Sequence, residues 1–519
     1  MAEKRYLVAV DCGTTSSRTV VFDFKGNLIA FGQAANPLTY PGVGRVECQG
    51  PAMVETLYET TRMALARAQI DPREVAGVSF DVFRCTIATR ADDGAFTAPI
   101  IIWQDLRAVD QLGIMEGRLQ AAGLTLNKLY DSTGMPLGPT QASAKLQWIM
   151  AHDQEAYARA SRIHTMMGLM TKAYGADDYY DDTTNTPWLQ LNDQSLAYSP
   201  ALCEVFGVDP AKLAPLRQPG EIIGQVTAEV EARTGLAAGT PLVMGTGDHQ
   251  SGGLGSGCID QRTAYACGGA AGIAAGRSFS LLRDPQRKCH VLGTPDGAYV
   301  MEAQSNTAGS ALKWCKAEID DGKLGDSGAL EVYDSLTLAA SSSTPGANGC
   351  FFLPYLQGAN TPHYDAKARA TYVGMTFAHS RADLVRATLE GICFEFRDLF
   401  DALVASNVPQ FDTIRLTGGI SRSDFWCQMQ ADIYQRSCET VACDKAPALG
   451  AAIVAAVGVG VYSDFSRGAA NMVHVSGHYE PDPAQVERYE DAYRAWHEIY
   501  QAMHGRTFET VVAFQEKYR

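Results

Sequence analysis

The segment VAVDCGTTSSRTVVFDFKGN, residues 8–27, constrains the fold of this chain more than any other feature. Two apolar runs with strand composition, residues 6–10 and 19–24, flank an aspartate and a cluster of Gly, Thr and Ser. A third run, residues 28–32, follows a tight Lys-Gly-Asn turn. Because the chain returns from its glycines as a strand, the segment predicts a β-hairpin tip within an antiparallel meander. A P-loop or a dinucleotide-binding turn would lead into a helix, so both are excluded.

The length and the charge indicate a multidomain protein that acts on small molecules. A chain of 519 residues with 46% hydrophobic content is too long for one ordinary core, so we expect a cleft between domains. A net charge of -15 and the lack of a Lys/Arg-rich run argue against binding nucleic acid or anionic membranes. A small-molecule partner is therefore expected.

Cysteine usage and apolar runs predict a soluble, cytoplasmic protein. The 13 cysteines are scattered and never spaced as Cys-x-x-Cys, which favours buried thiols in a reducing compartment over disulfides or a zinc site. The apolar stretch at the N-terminus is too short for a signal peptide. The longest apolar run, residues 448–462, contains glycines and falls short of the ~20 residues of a membrane span.

The rest of the first half predicts alternating helices and strands, as in α/β proteins. We expect a helix over 51–68, strands over 75–82 and 98–103, a helix over 145–160 and a polar loop over 177–186. Ligands of α/β folds bind at strand ends, which makes Asp81, Arg84, Trp103 and Asp105 candidates by position.

The second half repeats the layout of the first. Residues 241–257 place Gly, Thr and a single Asp after an apolar strand, and residues 262–278 hold a second glycine turn between two strand-like runs. This layout predicts an internal duplication with a second domain that begins near Met244. We further expect helices over 380–404 and 483–503, a strand-turn-helix over 414–435, and a small-residue helix over 446–460 that packs closely on a neighbour.

Three glycine turns predict a nucleotide site. They lie at residues 13–17, 268–272 and 418–423, each next to a predicted strand. Backbone N–H groups at such turns, with hydroxyls beside them, form concave anion sites suited to polyphosphate. Phosphoryl transfer also needs Mg²⁺ on the phosphates and a group that aligns the acceptor oxygen. Asp11 fits the first need, through waters of the metal, and Asp248 fits the second by accepting the hydroxyl proton.

These motifs together resemble the FGGY carbohydrate kinases of the actin and sugar kinase superfamily over essentially the whole chain. The resemblance is carried by DCGTTSSRTVVFD, WQDLRA, GTGDHQSGGLGSG, FFLPYLQGANTPHYD, RATLEGICFEFRDLFDAL, LTGGISRSDFWCQMQADI and APALGAA. It implies an α/β fold of two ribonuclease-H-like domains with an interdomain cleft. Residues 1–243 would form the sugar-binding domain, and residues 244–519 the nucleotide-binding domain.

The resemblance also implies roles for individual residues, with ATP and Mg²⁺ as cofactors. Asp248 would be the general base and, with Asp11, a metal ligand. The sugar would contact Arg84, Trp103, Asp105 and Asp248. The nucleotide and its metal would contact Asp11, Gly13, Thr14, Thr15, Arg18, Gly268, Gly269, Gly418, Gly419, Ser423 and Gln428.

Two departures from the family pattern bear on substrate and phosphate binding. Residues 268–270 read GGA where many members have Gly-Thr-Ser, so Gly269 offers only its backbone. Residues 79–85, SFDVFRC, match neither the Met-His pair of xylulokinases nor the Arg-Glu pair of glycerol kinases, although Arg84 falls near that arginine. Xylulokinase-like character elsewhere favours a ketopentose such as xylulose. Ribulose, glycerol, a tetritol and an autoinducer-2 type substrate stay open.

Two other functional classes explain the sequence less well than a kinase does. A sugar- or nucleotide-binding protein that transfers no phosphate would explain the missing hydroxyl at Gly269, but it would not need a carboxylate at Asp248. An NAD-dependent dehydrogenase would need G-x-G-x-x-G between a strand and a helix, and GGLGSG lacks that spacing. The expected partners are a small sugar or polyol and a second copy of the chain in a homodimer, with no nucleic acid or membrane.

Overall fold

The computed structural model describes residues 3–320 and 332–518. The strands of the N-terminal part are β1 (Tyr6–Cys12), β2 (Ser16–Asp23), β3 (Leu28–Ala35), β4 (Leu38–Gly42), β5 (Arg45–Cys48), β6 (Val75–Val82), β7 (Ala88–Arg90), β8 (Ile100–Ile101), β9 (Arg162–His164), β10 (Asp181–Asp182), β11 (Leu216–Arg217), β12 (Ile222–Gln225) and β13 (Pro241–Gly247). Those of the C-terminal part are β14 (Thr263–Gly268), β15 (Gly272–Ser278), β16 (His290–Gly293), β17 (Tyr299–Ser305), β18 (Phe351–Leu353), β19 (Thr371–Val373), β20 (Thr413–Gly418), β21 (Ser437–Val441) and β22 (Val475–Tyr479).

The α-helices are α1 (Gly50–Ala68), α2 (Gln111–Ala121), α3 (Leu126–Thr133), α4 (Ala142–His152), α5 (Gln154–Arg159), α6 (Met166–Tyr174), α7 (Pro200–Phe206), α8 (Ala228–Thr234), α9 (Asp248–Gly255), α10 (Gly309–Cys315), α11 (Val332–Ser341), α12 (Arg381–Ala405), α13 (Asp424–Tyr434), α14 (Ala446–Gly458), α15 (Phe465–Met472), α16 (Pro483–Met503) and α17 (Arg506–Tyr518). Within the residues that the structure describes, none of these helices is both long and apolar enough to cross a bilayer.

The first sheet is built on the predicted hairpin. Its six strands run in the order β12-β13-β6-β1-β2-β3. Strands β1 and β2 pair antiparallel, from Tyr6 opposite Asp23 to Cys12 opposite Ser17, and β3 continues the meander. Strands β6 and β13 then add in parallel beside β1. The meander and the strand over 75–82 are confirmed. Because parallel strands end at the same edge, the polar residues that follow β1, β6 and β13 are brought together.

The second sheet repeats this plan around the second glycine turn. Its seven strands run in the order β16-β17-β15-β14-β20-β21-β22. The hairpin β14–β15 turns at Gly268 and Gly272, and β20 lies parallel to β14. The two-domain ribonuclease-H-like architecture is confirmed. The segment over 241–257 differs from the opening hairpin, however, because after β13 the chain enters helix α9 and does not return as a strand.

The two faces of the first sheet are buried against different parts of the chain. Alternate residues point to opposite faces of a strand, so Val8 and Val10 pack with α1 and α6, whereas Leu7 and Ala9 pack with α14. Helix α14 reaches this face from the C-terminal part of the sequence. Residues 446–472 therefore belong in space with the first sheet, although they lie beyond the expected boundary.

That boundary, at Met244, falls inside β13, which is the strand that pairs with β6 in the first sheet. The second sheet begins at Thr263. Between β6 and β13 the chain also inserts a third region with its own core, which includes Ile87, Leu146 and Leu213. This inserted region follows the end of β6 and contains Trp103 and Asp105, two of the residues expected to contact the sugar.

Three predicted elements differ in detail from the observed ones. The strand over 98–103 is reduced to β8. The helix over 145–160 is two helices, because Asp153 leaves the helical conformation and its carboxylate caps α5 by accepting from Ala156 N. The polar loop over 177–186 is buried from residue 180 onward, and its last residues belong to a 3-10 helix, Thr183–Leu189. Its polar side chains satisfy one another, which composition alone does not indicate.

Candidate active site

Three carboxylates meet where neighbouring strands of the first sheet end. Asp11 is the next-to-last residue of strand β1, and Asp81 lies directly opposite it on β6. Asp248 is the first residue after β13. Their order along the sheet follows from the strand order β13-β6-β1. The structure thus brings the two aspartates that sequence analysis singled out to one edge, with a third acid between them.

Asp11 and Asp81 form a buried acidic pair. Burial raises the pKa of both carboxyls, and the Arg18 guanidinium, whose Nε lies 3.4 Å from Asp11 Oδ2, lowers that of Asp11. The pKa of Asp81 rises further because Asp11 and Asp248 repel its negative form. Neither carboxylate oxygen of Asp81 has a hydrogen-bond partner, although the side chain is fully buried. Such an unsatisfied acidic pair fits a divalent cation, which would supply the missing positive charge.

Arg84 forms an ion pair with a residue of the second lobe, which is the part of the protein built on the second sheet; the first lobe is the part built on the first sheet. Its Nη1 and Nη2 donate to the two carboxylate oxygens of Glu302 at 3.0 and 2.9 Å. Glu302 belongs to β17 of the second sheet and is 1% exposed. Burial alone would raise the pKa of Glu302, but Arg84 and His249 lower it below its usual range. The pair is therefore a buried, fully charged connection between the two lobes.

Asp248 is the accessible acid of this group. Its side chain is 24% exposed, and its Oδ1 lies 3.7 Å from Arg84 Nε. The neighbouring His249 contacts the Arg84 guanidinium and lies 3.6 Å from Glu302. A carboxylate that is open to a ligand, next to a cation that is already paired, is suited to accept a proton from a bound hydroxyl.

A polar network supports this arrangement from the inserted region. Gln250 accepts from Arg84 at 3.3 Å and donates to Asn185 at 3.1 Å, and Asn185 in turn donates to Asp182 at 2.9 Å. Trp188 belongs to the same segment, and its ring centroid lies 4.9 Å from the Cζ atom of the Arg84 guanidinium. The buried segment 181–189 is thus a support for Arg84 and α9.

Trp103 lies beside the first glycine turn. Its indole Nε1 donates to Thr14 Oγ1 at 2.8 Å, and the ring packs against the small buried cluster that contains Cys85, Met135, Trp188 and Leu292. Gly13 and Thr14 present their carbonyl oxygens to the Asn36 amide, so the backbone of the turn is held from behind. Thr15 at the tip is exposed. Trp103 therefore provides an apolar surface beside the first glycine turn.

Asp105 differs from the expectation that it faces the sugar. The residue is fully buried. Its carboxylate accepts from Val46 N at 2.6 Å and from Arg107 N, Nε and Nη2 at 2.9, 2.8 and 2.7 Å. Because both oxygens are occupied within the protein, Asp105 fixes the loop after β8 and offers no acceptor to a ligand.

The second and third glycine turns lie side by side. Gly268 and Gly418 are paired across β14 and β20. A Cβ on Gly418, whose φ is +76, would lie 2.6 Å from the Gly268 carbonyl, and a Cβ on Gly268 would lie 2.3 Å from Ile420. Only glycine fits both positions. Gly269 is exposed, and its carbonyl accepts from Gly309 N at 2.8 Å. The turns thus expose backbone at the edge of the second sheet.

The remaining nucleotide candidates follow the third turn. Gly419 begins a short 3-10 helix, Gly419–Ser421, and Ser423 is the N-cap position of α13. The Gln428 amide nitrogen donates to Asp432 Oδ1 at 2.9 Å and to the Glu480 carbonyl at 2.8 Å. Gln428 is therefore engaged by its own lobe, whereas the backbone of residues 418–423 stays beside the second turn.

Sequence models of two domains match most of the chain. The N-terminal domain of the FGGY family of carbohydrate kinases matches residues 6–255, and the C-terminal domain of the same family matches residues 278–459. The chain belongs to the FGGY family of carbohydrate kinases. It is a phosphotransferase whose acceptor is an alcohol group, and the family implies the use of ATP.

Relatives of this FGGY kinase cover nearly its full length. The xylulose kinase of Lactococcus lactis is 26% identical over 498 residues, 95% of this chain and 96% of the relative. A glycerol kinase of Vibrio vulnificus is 28% identical over 488 residues, 90% of this chain and 91% of the relative. The crystal structure of ligand-bound xylulose kinase from Lactobacillus acidophilus has a TM-score of 0.87 at 23% identity and covers 97% of this chain and 99% of that one.

Sequence reasoning missed several residues of this FGGY kinase site. It assigned no role to Glu302, His249 or Trp188, and it treated Asp81 as a candidate by position alone. A signal for Glu302 does exist, because a single acid stands in the otherwise uncharged strand YVMEAQS. An acid at a buried strand position must be ion-paired or protonated, so Glu302 is expected to have a cationic partner or to be neutral.

Proposed function

We propose that this carbohydrate kinase transfers the γ-phosphoryl group of Mg·ATP to a hydroxyl of a small neutral polyol or ketose, with a ketopentose such as xylulose as the substrate. The observation that carries the proposal is the position of Asp248. It is a partly exposed carboxylate at the start of α9, beside the buried Arg84–Glu302 pair that joins the lobes.

Asp248 would accept the proton of the substrate hydroxyl. A positioned general base contributes ~100-fold or more to proton transfer when it lies within hydrogen-bonding reach of the proton. The contact with Arg84 and the hydrogen bond from His249 N to Asp248 Oδ1, 2.9 Å, restrict the carboxylate to a narrow range of orientations. This restriction supports a role in aligning the acceptor.

Asp11 and Asp81, with Asp248 nearby, would hold Mg²⁺. The unpartnered oxygens of Asp81 support this assignment, which adds Asp81 to the two metal ligands expected from the sequence. When bound, the cation would neutralise charge on the phosphates. Arg18, which lies beside Asp11, would keep that carboxylate ionised and ready to receive the cation's waters.

The glycine turns would bind the nucleotide. We assign the phosphates to the backbone at 13–17 and 268–272 and the nucleoside to residues 418–423, because the second and third turns are adjacent at one sheet edge. The division into a sugar-binding first lobe and a nucleotide-binding second lobe follows from this assignment. Gly269 would contribute its backbone alone.

The chemistry of the pocket supports a neutral substrate. The Arg84 guanidinium is already neutralised by Glu302, and Arg18 is paired with Asp11, so neither is free to pair with a sugar acid, which would also be repelled by the carboxylates of the site. The partly buried Trp103 would provide an apolar wall for the carbon chain of a small polyol. The names of the relatives support xylulose in the first place and glycerol in the second.

A substrate panel tests the proposal. Mg·ATP consumption would be measured with xylulose, ribulose, glycerol, a tetritol, a pentitol, hexoses and the autoinducer-2 precursor, and with gluconate as the anionic control. We expect turnover of a ketopentose and no turnover of gluconate. Activity on another neutral compound would replace xylulose, and silence across the panel with intact nucleotide binding would favour a binding protein that transfers no phosphate.

Two further predictions from the sequence concern the whole protein. Assembly as a homodimer would be measured by light scattering on the same preparation. A cytoplasmic location would be measured by fractionation of cells that express the untagged chain.

A further inference from the structure

Two histidines and one aspartate converge in the second lobe, on elements that the proposed kinase site does not use. His363 comes from the loop after β18, Asp398 from α12 and His497 from α16. His363 Nε2 lies 3.1 Å from Asp398 Oδ2, and His497 Nε2 lies 3.7 Å from Asp398 Oδ1. One nitrogen or oxygen atom from each residue falls within 4.8 Å of the other two.

These distances match a metal centre. Zinc bonds of ~2.0–2.1 Å to His nitrogen and Asp oxygen place neighbouring ligand atoms ~3.3 Å apart in a tetrahedron. The two measured separations, 3.1 and 3.7 Å, lie on either side of that value. Two imidazoles and one carboxylate favour Zn²⁺ or a similar transition metal over Mg²⁺ and Ca²⁺, which prefer oxygen ligands.

The charge and the exposure of the three residues suit an ion. The Asp398 side chain is 4% exposed, whereas that of His497 is 40% exposed and leaves a route to solvent. The polar partners of Asp398 in the described part of the chain are the two imidazoles and the Tyr493 hydroxyl. Neither Lys nor Arg pairs with Asp398 among the described residues, so a bound cation would offset the cost of burying this carboxylate.

The surroundings orient the ligands in the manner of an outer coordination shell. Tyr493 donates to Asp398 Oδ1 and fixes that carboxylate. The His363 ring packs against Tyr500 in a tilted arrangement, with centroids 4.1 Å apart and ring planes at 35°. One helical turn before Asp398, the buried Glu395 has an oxygen without a hydrogen-bond partner, and so has the nearby Tyr355 hydroxyl. The polar atoms around the cluster are thus incompletely satisfied by the protein.

We propose that His363, Asp398 and His497 bind one Zn²⁺ ion that ties helix α16 to α12 and to the loop before β19. The loop is in turn joined to the second sheet, because Thr361 N donates to the Gln304 carbonyl of β17 at 3.1 Å. The ion stabilises the second lobe from its outer side. The proposal is independent of the substrate of the kinase site.

Metal analysis of the purified full-length chain tests the site. The protein would be stripped with a chelator, incubated with Zn²⁺ in the presence of excess Mg²⁺, desalted and analysed for bound metal. We expect one Zn²⁺ per chain in the wild type and at least ~10-fold weaker binding in the variant H363Q/H497Q. His504→Gln is the matched control, because His504 lies just beyond the C-terminal end of α16 and pairs with Asp365 outside the cluster. It should bind Zn²⁺ as the wild type does.

Two outcomes would overturn the proposal. Wild-type protein that binds no more Zn²⁺ than H363Q/H497Q would show that the cluster is a hydrogen-bond network only. Equal loss of Zn²⁺ in His504→Gln would show that surface histidines bind it without a defined site. Circular dichroism and kinase activity would establish that each variant is folded.

A measurement on unaltered protein covers the case in which the double variant does not fold. Co²⁺ would be added to the stripped wild type and to Tyr493→Phe. We expect the intense visible bands of a four- or five-coordinate site with nitrogen ligands, and ~10–100-fold weaker Co²⁺ affinity in Tyr493→Phe, since this variant removes an outer-shell partner. A spectrum identical to that of Co²⁺ in buffer would contradict the site.

Discussion

Asp248 occupies the one position in the candidate site where an acid is both fixed and reachable. The flanking residues Gly247 and Gln250 are buried, and Arg84 limits the carboxylate from one side, while a quarter of its side chain is open. The acid is also the first residue of α9, where the positive end of the helix dipole stabilises a carboxylate.

Replacing Asp248 with Asn should lower kcat by at least ~100-fold, because the amide keeps the shape but accepts no proton. The dissociation constant of ATP should stay within a few-fold of the wild type. A coupled ADP-release assay and equilibrium nucleotide binding would measure the two effects. Asp412→Asn, which removes an exposed acid paired with Arg262, is the control and should leave kcat unchanged. Full activity in the Asp248 variant would exclude the base assignment.

Replacing one partner of the Arg84–Glu302 pair should lower the free energy of unfolding more than replacing both partners together. Glu302→Gln leaves a buried guanidinium without its counter-charge, and breaking such pairs costs about 3–5 kcal/mol. The double variant R84M/E302Q should recover part of this loss, so the two single effects should not add. Urea unfolding of the four proteins of this cycle would measure the coupling. Strictly additive losses would show that the two side chains act separately.

Lys145 should give stability an alkaline pH dependence. Its side chain is fully buried, donates to the Thr140 carbonyl, and burial lowers its pKa from 10.5 to about 8. Below pH 8 the amine is charged in the folded and unfolded states, and the folded state bears the full desolvation cost. Between pH 8 and 10.5 the unfolded chain holds a proton that the folded chain has lost, so stability rises with pH by at most about 1.4 kcal/mol per unit.

Comparison with Lys145→Met isolates this effect. The stability of the wild type relative to Lys145→Met should increase across the window from pH 8 to 10.5, as measured by urea unfolding at several pH values. The exposed Lys128→Met should show no such trend. A constant difference between wild type and Lys145→Met over the window would contradict the lowered pKa.

At the scale of elements, the crossing of α9 and α14 sets the position of Asp248, the proposed base. The two helix backbones touch, since a Cβ on Gly450 would lie 1.9 Å from the Ser251 carbonyl and a Cβ on Gly255 would lie 1.9 Å from the Ala446 carbonyl. Small residues in APALGAA therefore allow an approach that larger side chains would prevent. The prediction that this segment packs closely on a neighbour is confirmed.

Gly450→Ala should separate the two helices and displace Asp248. Overpacking of this kind costs about 1–3 kcal/mol, and kcat should fall with stability because α9 carries the base. Gly253→Ala is the matched control, since a Cβ there meets nothing within 4 Å, and it should be neutral or stabilising by up to about 1 kcal/mol. Thermal unfolding and kcat would be measured together. Equal behaviour of the two variants would argue against a tight crossing.

At the scale of the whole molecule, the two sheets are linked by α14 and by the Arg84–Glu302 pair. Helix α14 packs on β1 and β6 of the first sheet, and the ion pair spans from β17 to the end of β6. The proposed sugar contacts and the proposed nucleotide turns lie on different sheets. Chemistry then requires the sheets to approach each other around the two ligands.

Small-angle scattering should detect this closure. Sugar together with a nonhydrolysable ATP analogue should reduce the radius of gyration relative to the protein without ligands, and either ligand alone should reduce it less. The paired measurement with single ligands is the control for simple ligand mass. An unchanged radius of gyration would count against a closing cleft, although the transfer reaction would still stand.

Part of the candidate site was predictable because its signals are local. Asp11 and Gly13 lie between two apolar runs, and short apolar runs bounded by turn residues predict strands. The same holds for Asp248 after its strand and for the helix over 483–503, which is observed with those bounds. The oxygens of Asp105 show the limit of such reasoning, because no pattern tells whether an acid at a strand end already has a partner.

The sequence by itself determined the two glycine hairpins, the strands and helices around them, and the family. Apolar periodicity and turn chemistry act over a few residues and can be read directly. Only the tertiary structure decided that Glu302 pairs with Arg84 across 218 residues of chain, that α14 returns to the first sheet, and that His363, Asp398 and His497 meet. These contacts form between segments that are far apart in the sequence. Their partners are set by the packing of the whole fold, which no local sequence pattern specifies.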